Sequence, residues 1–281
     1  MLKKIERGQQ FVWQHTELFR CPICFATMTK QSHGLACQNG HQFDVSKKGT
    51  LYFLTHAIES GYDASLFQAR GRMIQSGMYQ PIIQRCAEAL PGTRLLDVGC
   101  GEGSFLNLLT EHGQPQVSIG FDIAKEGIYQ ATNQPYGDFW CMADLTNLPF
   151  ASQTFDRVLN IFSPSNYQEF RRILVPGGKV MKIVPNANYL KELRQAFYPD
   201  NLHKQQYSNE RVLSKFFQEF PDATHERFSY VFKIPAKRQR DLLEMSPLEW
   251  GVPSVKKEEL YQHPLETITV DVDLLIGTKP M

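Results

Sequence analysis

The sequence predicts an α/β protein in which a small N-terminal zinc-binding domain precedes a Rossmann-like domain with a parallel sheet. Three observations predict this organisation. Short apolar runs alternate with helical stretches from residue 93 onward, which is the pattern of βαβ units. A glycine-rich loop follows the first of these runs, and a cysteine-rich segment without a long helical stripe occupies residues 17–54. We therefore expect a polar lead and the zinc-binding domain at 1–54, a helical linker at 55–92, and the α/β domain at 93–281.

The composition is that of an ordinary globular protein. Hydrophobic residues make up 42% of the chain and charged residues 21%, and the formal net charge is +1. There is no apolar run of about 18 residues that would predict a membrane span, and the segment MLKKIERGQQF lacks the apolar core of a signal peptide. We therefore expect a cytoplasmic protein without a membrane partner. The near-neutral charge neither indicates nor excludes nucleic acid, because binding requires only a local basic face.

Four residues in the first segment have the spacing of zinc ligands. Cys21 and Cys24 form a CxxC pair, and Cys37 and His41 supply a second pair. Zinc favours four tetrahedral thiolate and imidazole ligands, and so small a domain needs a metal because its core is small. The alternatives are a redox pair, although no βαβ pattern surrounds Cys21 and Cys24, and a surface histidine at position 41. Four protein ligands leave no position open to water, so the predicted zinc is structural.

Basic and aromatic side chains are interleaved in the same segment, with Arg20 and Lys30 near Phe25 and Phe43. Cations for phosphates and rings for base stacking are what RNA recognition uses. Alternatively, most of these rings form the core of the small domain and the lysines only solvate it.

The periodicity of the remaining chain predicts its elements. Apolar residues at spacings of three and four predict helices between 59 and 90, with Pro81 in a first helical turn. Predicted strands are Arg94–Val98, Val117–Phe121, Phe139–Met142, Arg157–Phe162, Lys179–Val184, 227–233 and Thr267–Ile276. Predicted helices are 103–112, 124–133, 167–174, 187–197, 208–219 and 237–244. In the last strand Asp271 and Asp273 alternate with apolar residues, which predicts that one face meets solvent.

The glycine-rich loop predicts the cofactor. Asp97 ends the first strand, and Gly99, Gly101 and Gly103 follow it as GxGxG rather than as the GxGxxG of dinucleotide-binding proteins. Such glycines let the backbone approach a ligand closely at the carboxyl end of a strand. The acid at this turn suits a cationic cofactor better than a diphosphate. We therefore expect a class I (Rossmann-like) S-adenosylmethionine methyltransferase domain, and a nicotinamide cofactor is the weaker alternative.

Two further acids end the next two strands. Asp122 is placed to bind the ribose hydroxyls of the cofactor, and Asp144 to contact its adenine amino group. A lone acid at a strand end is often only a helix N-cap. Three acids at three successive strand ends beside a glycine-rich loop favour a cofactor site.

The segment after the fourth strand predicts a catalytic corner. Ser163 and Asn166 flank Pro164 and offer hydrogen bonds to the edge of a target base. The alternative is a turn that caps the following helix without touching substrate. Ser163 and Asn166 are predicted to position substrate, and neither supplies a general base.

An ordered series of motifs runs through most of the chain. It comprises Cys21-Pro-Ile-Cys24, Cys37 to His41 followed by Gln42-Phe43-Asp44, Gly77-Met-Tyr79-Gln-Pro81, Leu96-Asp97-Val-Gly99-Cys-Gly101-Glu-Gly103, Ile161-Phe-Ser163-Pro164 and Met245-Ser-Pro247. By these motifs the chain resembles the 23S ribosomal RNA (guanine-N1)-methyltransferase family, and Phe162-Ser-Pro-Ser-Asn-Tyr167 is most similar to its tylosin-resistance branch.

The resemblance implies methylation of guanine N1 in a hairpin loop of domain II of 23S RNA. It also implies a zinc-bearing RNA-recognition domain, a homodimer and, through that branch, a link to antibiotic resistance. Cofactor contacts from Tyr79, Gly101 and Glu102 follow from it as well. Tyr189 occupies a further cofactor-contacting position that is commonly His in the family, and tyrosine cannot become cationic near neutral pH.

Two other functions compete with this one. A small-molecule methyltransferase could use the zinc module as a lid or a dimer handle. An RNA-binding protein without turnover would be expected to have a damaged cofactor loop, yet Asp97, Gly99, Gly101 and Asp122 are all present.

Overall fold

The structure is a computed structural model that describes residues 2–55 and 61–281. Residues 56–60, where the predicted helical linker begins, lie outside this range. The helices are α1 Lys4–Gln14, α2 Ala64–Met73, α3 Gln80–Ala87, α4 Ser104–Gly113, α5 Lys125–Ala131, α6 Tyr167–Ile173, α7 Lys191–Phe197, α8 Leu202–Gln205, α9 Glu210–Glu219, α10 Gln239–Glu244 and α11 Ser254–Gln262. The strands are β1 Met28–Gln31, β2 Gly34–Cys37, β3 Gln42–Asp44, β4 Leu51–Tyr52, β5 Arg94–Val98, β6 Val117–Asp122, β7 Phe139–Met142, β8 Phe155–Ile161, β9 Leu174–Pro185, β10 Thr224–Lys233 and β11 Thr267–Thr278.

An eight-stranded sheet forms the centre of the molecule, with strand order β10-β11-β9-β8-β5-β6-β7-β4. The six strands from β9 to β4 are parallel, whereas β11 and β10 are antiparallel to their neighbours. Both faces of the central strands are covered, so Leu95, Leu96 and Ile119 are fully buried. The predicted α/β class is confirmed. The carboxyl ends of β5, β6, β7 and β8 meet at one edge, where open α/β sheets bind ligands.

The N-terminal module is a three-stranded antiparallel sheet in the order β1-β2-β3. The next strand, β4, does not join this small sheet and pairs instead with β7 at the edge of the large sheet. Phe19 pairs with Phe150 through a β-bridge, and their ring centroids lie 5.8 Å apart. The two modules therefore share a core, and the domain boundary at residue 54 stays a prediction.

The segment before the module is helical. The sequence predicts a polar lead here, whereas α1 buries Phe11 and Val12, and the Phe11 ring stacks on Phe139 with centroids 4.9 Å apart. So short an apolar stripe in a glutamine-rich segment gives little periodicity.

The described part of the predicted linker contains the helices α2 and α3, and Pro81 lies in the first turn of α3. Between α2 and α3 a single π-helical turn spans Ile74–Met78, and it contains Gly77 with φ of 92°. A positive φ of this kind favours glycine. No helix in the described part of the chain combines the length and the apolar run needed to cross a membrane.

One prediction about β11 is wrong. Asp271 and Asp273 are fully buried rather than facing solvent. Asp273 accepts hydrogen bonds from Asn186 and Asn209 at 2.7 Å each, and Asp271 accepts two from Arg227 at 2.8 and 2.9 Å. Polar side chains from neighbouring elements satisfy the hydrogen-bonding capacity of these two aspartates. The alternation of polar and apolar residues along a strand does not reveal such partners.

Candidate active site

A cavity of about 870 Å³ opens at the carboxyl edge of the sheet. Its volume lies within the range of small-molecule and cofactor sites. The cavity is lined by residues from the predicted linker, from the strand ends of β5, β6, β7 and β8, and from the segment after β9. Among the predicted site residues, the lining includes Tyr79, Gly99, Gly101, Glu102, Asp122, Asp144, Ser163 and Tyr189.

The glycine-rich loop brings backbone to the cavity wall. Gly99 and Gly101 have φ of 72° and 55°, in the region that favours glycine. A Cβ on Gly99 would lie 2.7 Å from the Cβ of Ser163, so a larger residue would close this approach. Gly103 has a different role: it precedes α4 outside the lining, and a Cβ there would lie 2.5 Å from the Trp140 ring.

Asp122 holds the glycine-rich loop as well as lining the cavity. Its Oδ2 accepts the Gly101 N–H at 2.8 Å, and its Oδ1 accepts the Ala124 N–H at 2.8 Å. Burial raises the pKa of Asp122. Asp144 lies at the next strand end, where its Oδ1 accepts the Thr146 N–H at 2.8 Å. Both carboxylates keep further acceptor capacity toward the cavity.

Asp97 is buried directly behind the loop, next to the lining residues Val98 and Gly99. Its Oδ2 has no hydrogen-bond partner among the described residues. Burial, with the negative charges of Asp122 and Glu102, raises the pKa of Asp97 to about 8. A cation nearby would favour the carboxylate form, so this orphaned oxygen fits a positively charged ligand.

Arg70 is a site residue that our sequence analysis missed. It lines the cavity from α2, and its Nε donates to the Met245 carbonyl at 3.2 Å. Burial raises the pKa of Glu102, and the positive charge of Arg70 opposes that rise. A lone arginine in a helical stripe belongs to no motif, so only the fold reveals its position.

Two tyrosines meet on the wall of the cavity. The Tyr79 hydroxyl lies 2.6 Å from the Tyr189 hydroxyl, and burial raises the pKa of Tyr189 to about 12. Phe162 packs beside them, with ring centroids 5.7 Å from Tyr79 and 5.3 Å from Tyr189. The Phe162 backbone has φ of 53°, and the residue is 37% exposed. Such strain in a non-glycine residue is typical of functional sites.

The predicted catalytic corner is tied into the fold. The Ser163 hydroxyl donates to the Val98 carbonyl at 2.6 Å. Asn166 lies outside the lining, and its Oδ1 caps α6 by accepting the Glu169 N–H at 3.2 Å. The capping alternative therefore describes Asn166, while its contact with substrate stays a prediction.

Lys182 holds the turn after β8 in place through hydrogen bonds. The sequence did not indicate this residue as part of the site because it lies within the apolar strand β9. Its Nζ donates to the Asn160 Oδ1, to the Ser165 Oγ at 2.8 Å and to the Ser163 carbonyl at 3.2 Å. Burial lowers the pKa of Lys182 to about 8. All three ammonium hydrogens are used, so Lys182 positions the turn and has no donor left for a ligand.

The four predicted metal ligands come together in the N-terminal module. The ligand atoms of Cys21, Cys24, Cys37 and His41 all lie within 4.8 Å of one another. The Sγ atoms of Cys21 and Cys37 each lie 3.4 Å from His41 Nδ1. Hydrogen bonding, chiefly from the Ala26 N–H, lowers the pKa of Cys24 to about 6, which favours the thiolate. Three sulfurs and one imidazole form the donor set of a structural zinc site, and none of the four lines the cavity.

Comparison with known families gives two matches. Residues 67–221 match the family described as methyltransferase domain. Residues 19–54 match the family described as RlmA, N-terminal.

Relatives match nearly the whole chain. The Bacillus subtilis (strain 168) protein YxjB, to which the activity of a 23S rRNA (guanine-N(1)-)-methyltransferase is attributed, is 38% identical over 275 residues, covering 93% of this chain and 97% of that protein. The 23S rRNA (guanine(748)-N(1))-methyltransferase of Streptomyces fradiae is 26% identical, covering 82% of this chain and 85% of that protein.

A solved structure shows the same fold. Phosphoethanolamine N-methyltransferase 2 of Haemonchus contortus, in complex with phosphomonomethylethanolamine and S-adenosylhomocysteine, aligns with a TM-score of 0.50 at 16% identity. The alignment covers 79% of this chain and 59% of that chain.

Proposed function

Because the chain belongs to the family of 23S rRNA (guanine-N1)-methyltransferases, we propose that it methylates N1 of a guanine in a hairpin loop of domain II of 23S rRNA, using S-adenosylmethionine. The observation that carries the proposal is the cavity at the carboxyl edge, which has an aromatic wall and lies next to the orphaned carboxylate oxygen of Asp97, buried behind the glycine-rich loop. The carboxylate suits a cationic cofactor and the aromatic wall suits a nucleobase.

The cofactor would occupy the part of the cavity beneath the glycine-rich loop. Gly99 and Gly101 would allow close approach, with Asp97 near the ammonium group and Asp122 at the ribose hydroxyls. Asp144 would face the adenine amino group. The other proposed contacts are Tyr79, Glu102 and Tyr189, with Gly103 opening the helix behind the loop. When bound, S-adenosylmethionine supplies an electrophilic methyl group on a sulfonium.

The chain itself orients the target base. Phe162 offers an exposed ring on the cavity wall, and the Ser163-Pro164 turn, fixed by Lys182, sets the adjoining backbone. A base in a hairpin loop leaves its stack more easily than a base in a duplex. Holding guanine N1 in line with the methyl group can contribute several kcal/mol, roughly 7 to 11 for well-oriented reactants. Ser163 and Asn166 are proposed to support this positioning.

The metal-bearing module is proposed to bind RNA. With four protein ligands, zinc there would be structural and would not take part in the reaction. Phe25 is 58% exposed, and the Arg20 guanidinium lies 4.7 Å from its ring centroid. The Lys30 ammonium lies 4.4 Å from the centroid of the Trp13 ring. Arg20 also pairs with Glu169, whereas Lys30 is exposed, and an exposed cation beside a ring suits phosphates and unstacked bases.

The test is transfer of labelled methyl from S-adenosylmethionine to unmodified 23S RNA, with the product mapped by primer extension. We expect a single stop at a guanine in a domain II hairpin, because N1 methylation blocks base pairing. Absence of transfer to RNA, with cofactor binding intact, would contradict the proposal and favour a small-molecule substrate.

The proposal includes a cytoplasmic homodimer and a link to antibiotic resistance, both of which rest on the family resemblance. Light scattering of the purified protein should give twice the monomer mass of 32.3 kDa. Deleting the gene should change susceptibility to macrolides.

A further inference from the structure

Arg194 is a buried cation on the cavity wall. It belongs to α7, only 4% of its surface is exposed, and it lines the cavity. Its Nη2 donates to the Ala187 carbonyl at 2.6 Å, whereas its Nε has no hydrogen-bond acceptor among the described residues. Arginine does not lose its proton in proteins, so this donor is both charged and unsatisfied.

No carboxylate in the described structure neutralises Arg194 through an ion pair. Besides the phenols of Tyr207 and Tyr189, the groups whose charge reaches it are the carboxylates of Asp271 and Glu192. Asp271 is engaged by Arg227 at 2.8 Å, and Glu192 accepts the Thr269 N–H at 2.9 Å. A buried charge without a partner is costly. The arrangement therefore calls for an acceptor that enters the cavity with a ligand.

The position of Arg194 separates it from most of the proposed cofactor contacts. Most of those contacts follow β5, β6 and β7, whereas Arg194, like Tyr189, follows β9, which β8 separates from β5. Tyr207 lies next to it on the cavity wall, with its ring centroid 5.8 Å from the guanidinium. A guanidinium beside an exposed ring is an arrangement that binds a planar base.

We propose that Arg194 recognises the acceptor edge of the target guanine, donating to O6 and N7. This inference rests on the proposed function and makes Arg194 the residue that selects guanine. Guanine presents two acceptors on that edge, and arginine pairs with both, whereas adenine places an amino donor where guanine has O6. The burial of Arg194 inside the cavity favours a base over a backbone phosphate, because phosphates remain at the solvated surface of an RNA hairpin.

N7 provides a test that leaves the reacting atom intact. Two hairpin RNAs are compared, one with guanosine and one with 7-deazaguanosine at the mapped position. For the natural protein we expect kcat/KM to fall about 10- to 100-fold on the 7-deaza RNA, the effect of losing one hydrogen bond from a charged donor. Arg194→Met loses the hydrogen bonds to both O6 and N7, so it should show a fall at least as large on guanosine and no further fall on 7-deazaguanosine. Its affinity for S-adenosylmethionine, measured by calorimetry, should match that of the natural protein.

Arg157→Met is the matched control. Arg157 is half-buried, whereas Arg194 is buried, and it donates its Nε to the Ala89 carbonyl at 3.0 Å without lining the cavity. This variant should retain the full 7-deaza penalty. Equal rates of the natural protein on both RNAs would overturn the proposal, even if Arg194→Met fails to fold. An undiminished penalty in a folded Arg194→Met would also overturn it. If the natural protein methylates no RNA at all, the proposed function fails, and this inference fails with it.

Discussion

The Tyr189 hydroxyl hydrogen-bonds to the Tyr79 hydroxyl at 2.6 Å, which joins two proposed cofactor contacts from distant parts of the chain. Tyr189→Phe should lower the affinity for S-adenosylmethionine about fivefold, the effect of roughly 1 kcal/mol for one hydrogen bond. Tyr230→Phe is the control, because its hydroxyl donates to the Met78 carbonyl at 2.8 Å outside the cavity lining. Calorimetry that finds equal affinities for both variants would remove Tyr189 from the cofactor site.

Asp97 should make the stability of the cofactor-free protein depend on pH. Its pKa is raised from 3.8 to about 8 in the folded state, so the folded protein holds more protons than the unfolded chain between these values. Stability therefore falls as the pH rises through this window. Asparagine does not ionise, so Asp97→Asn does not lose stability as the pH rises. Its melting temperature should exceed that of the natural protein by roughly 5 °C or more at pH 8.5 but not at pH 4. A constant difference across the range would contradict the shifted pKa.

The same substitution should weaken cofactor binding about tenfold or more, because it removes the charge that attracts the ammonium group. Equal affinity of Asp97→Asn and the natural protein at pH 8.5 would show that the orphaned oxygen does not face the cofactor.

Asp122→Ala should reduce the affinity for S-adenosylmethionine by about 10- to 100-fold, since a charged hydrogen-bonding group contributes roughly 1.5 to 3 kcal/mol. Asp138 is the matched control. It accepts the Ser118 N–H at 2.6 Å and the Ser118 hydroxyl at 3.0 Å, away from the cavity. Asp138→Ala should lower the melting temperature and leave the affinity unchanged. A parallel loss in both variants would mean that Asp122 only supports the fold.

Phe162→Gly should lower kcat/KM on RNA about tenfold or more, because base stacking on a ring contributes roughly 1 to 3 kcal/mol. Glycine adopts the φ of 53° without strain, which partly offsets the packing lost with the ring, so the variant should stay folded. Thermal melting and single-turnover methylation test both expectations. A destabilised variant with normal turnover would make Phe162 a packing residue.

Cys24→Ser should abolish stoichiometric zinc and lower RNA methylation, while the affinity for S-adenosylmethionine stays within about threefold of the natural value. Cys86→Ala, which removes a buried thiol outside the cluster, should retain zinc. Zinc content by mass spectrometry and calorimetry of the cofactor give the readouts. Loss of cofactor affinity in step with zinc would contradict the separation of roles.

The sequence predicts the sheet and the metal cluster well, because both depend on local patterns. Apolar runs such as Phe139–Met142 form strands with the predicted bounds, and the spacing of four ligands brings them together. By contrast, α11 has no usable apolar stripe, and only Leu260 is buried in it. The predicted helix 187–197 begins only at Lys191, because Leu190 takes the left-handed conformation with φ of 54°.

The parts of the site that we missed depend on tertiary placement. Arg70 and Arg194 lie in different helices, and Lys182 lies within a strand. Each is a single charged residue without a motif, and its role becomes visible only when the fold buries it beside the cavity or beneath the turn after β8. Motifs reveal residues whose roles depend on neighbours in the sequence. The roles of these cations depend instead on residues that are distant in the sequence and come close only in the fold.

The short strand β4 also covers an edge of the large sheet that would otherwise be open to aggregation. It pairs Leu51 with Cys141 and Tyr52 with Met142, and so covers the outer edge of β7. An uncovered edge strand rich in apolar residues is a template for aggregation. Because the metal-bearing module holds β4 in place, chelation would expose Phe139–Met142. We therefore expect zinc-depleted protein to precipitate. The supply of zinc would then limit the amount of soluble enzyme as well as its binding to RNA.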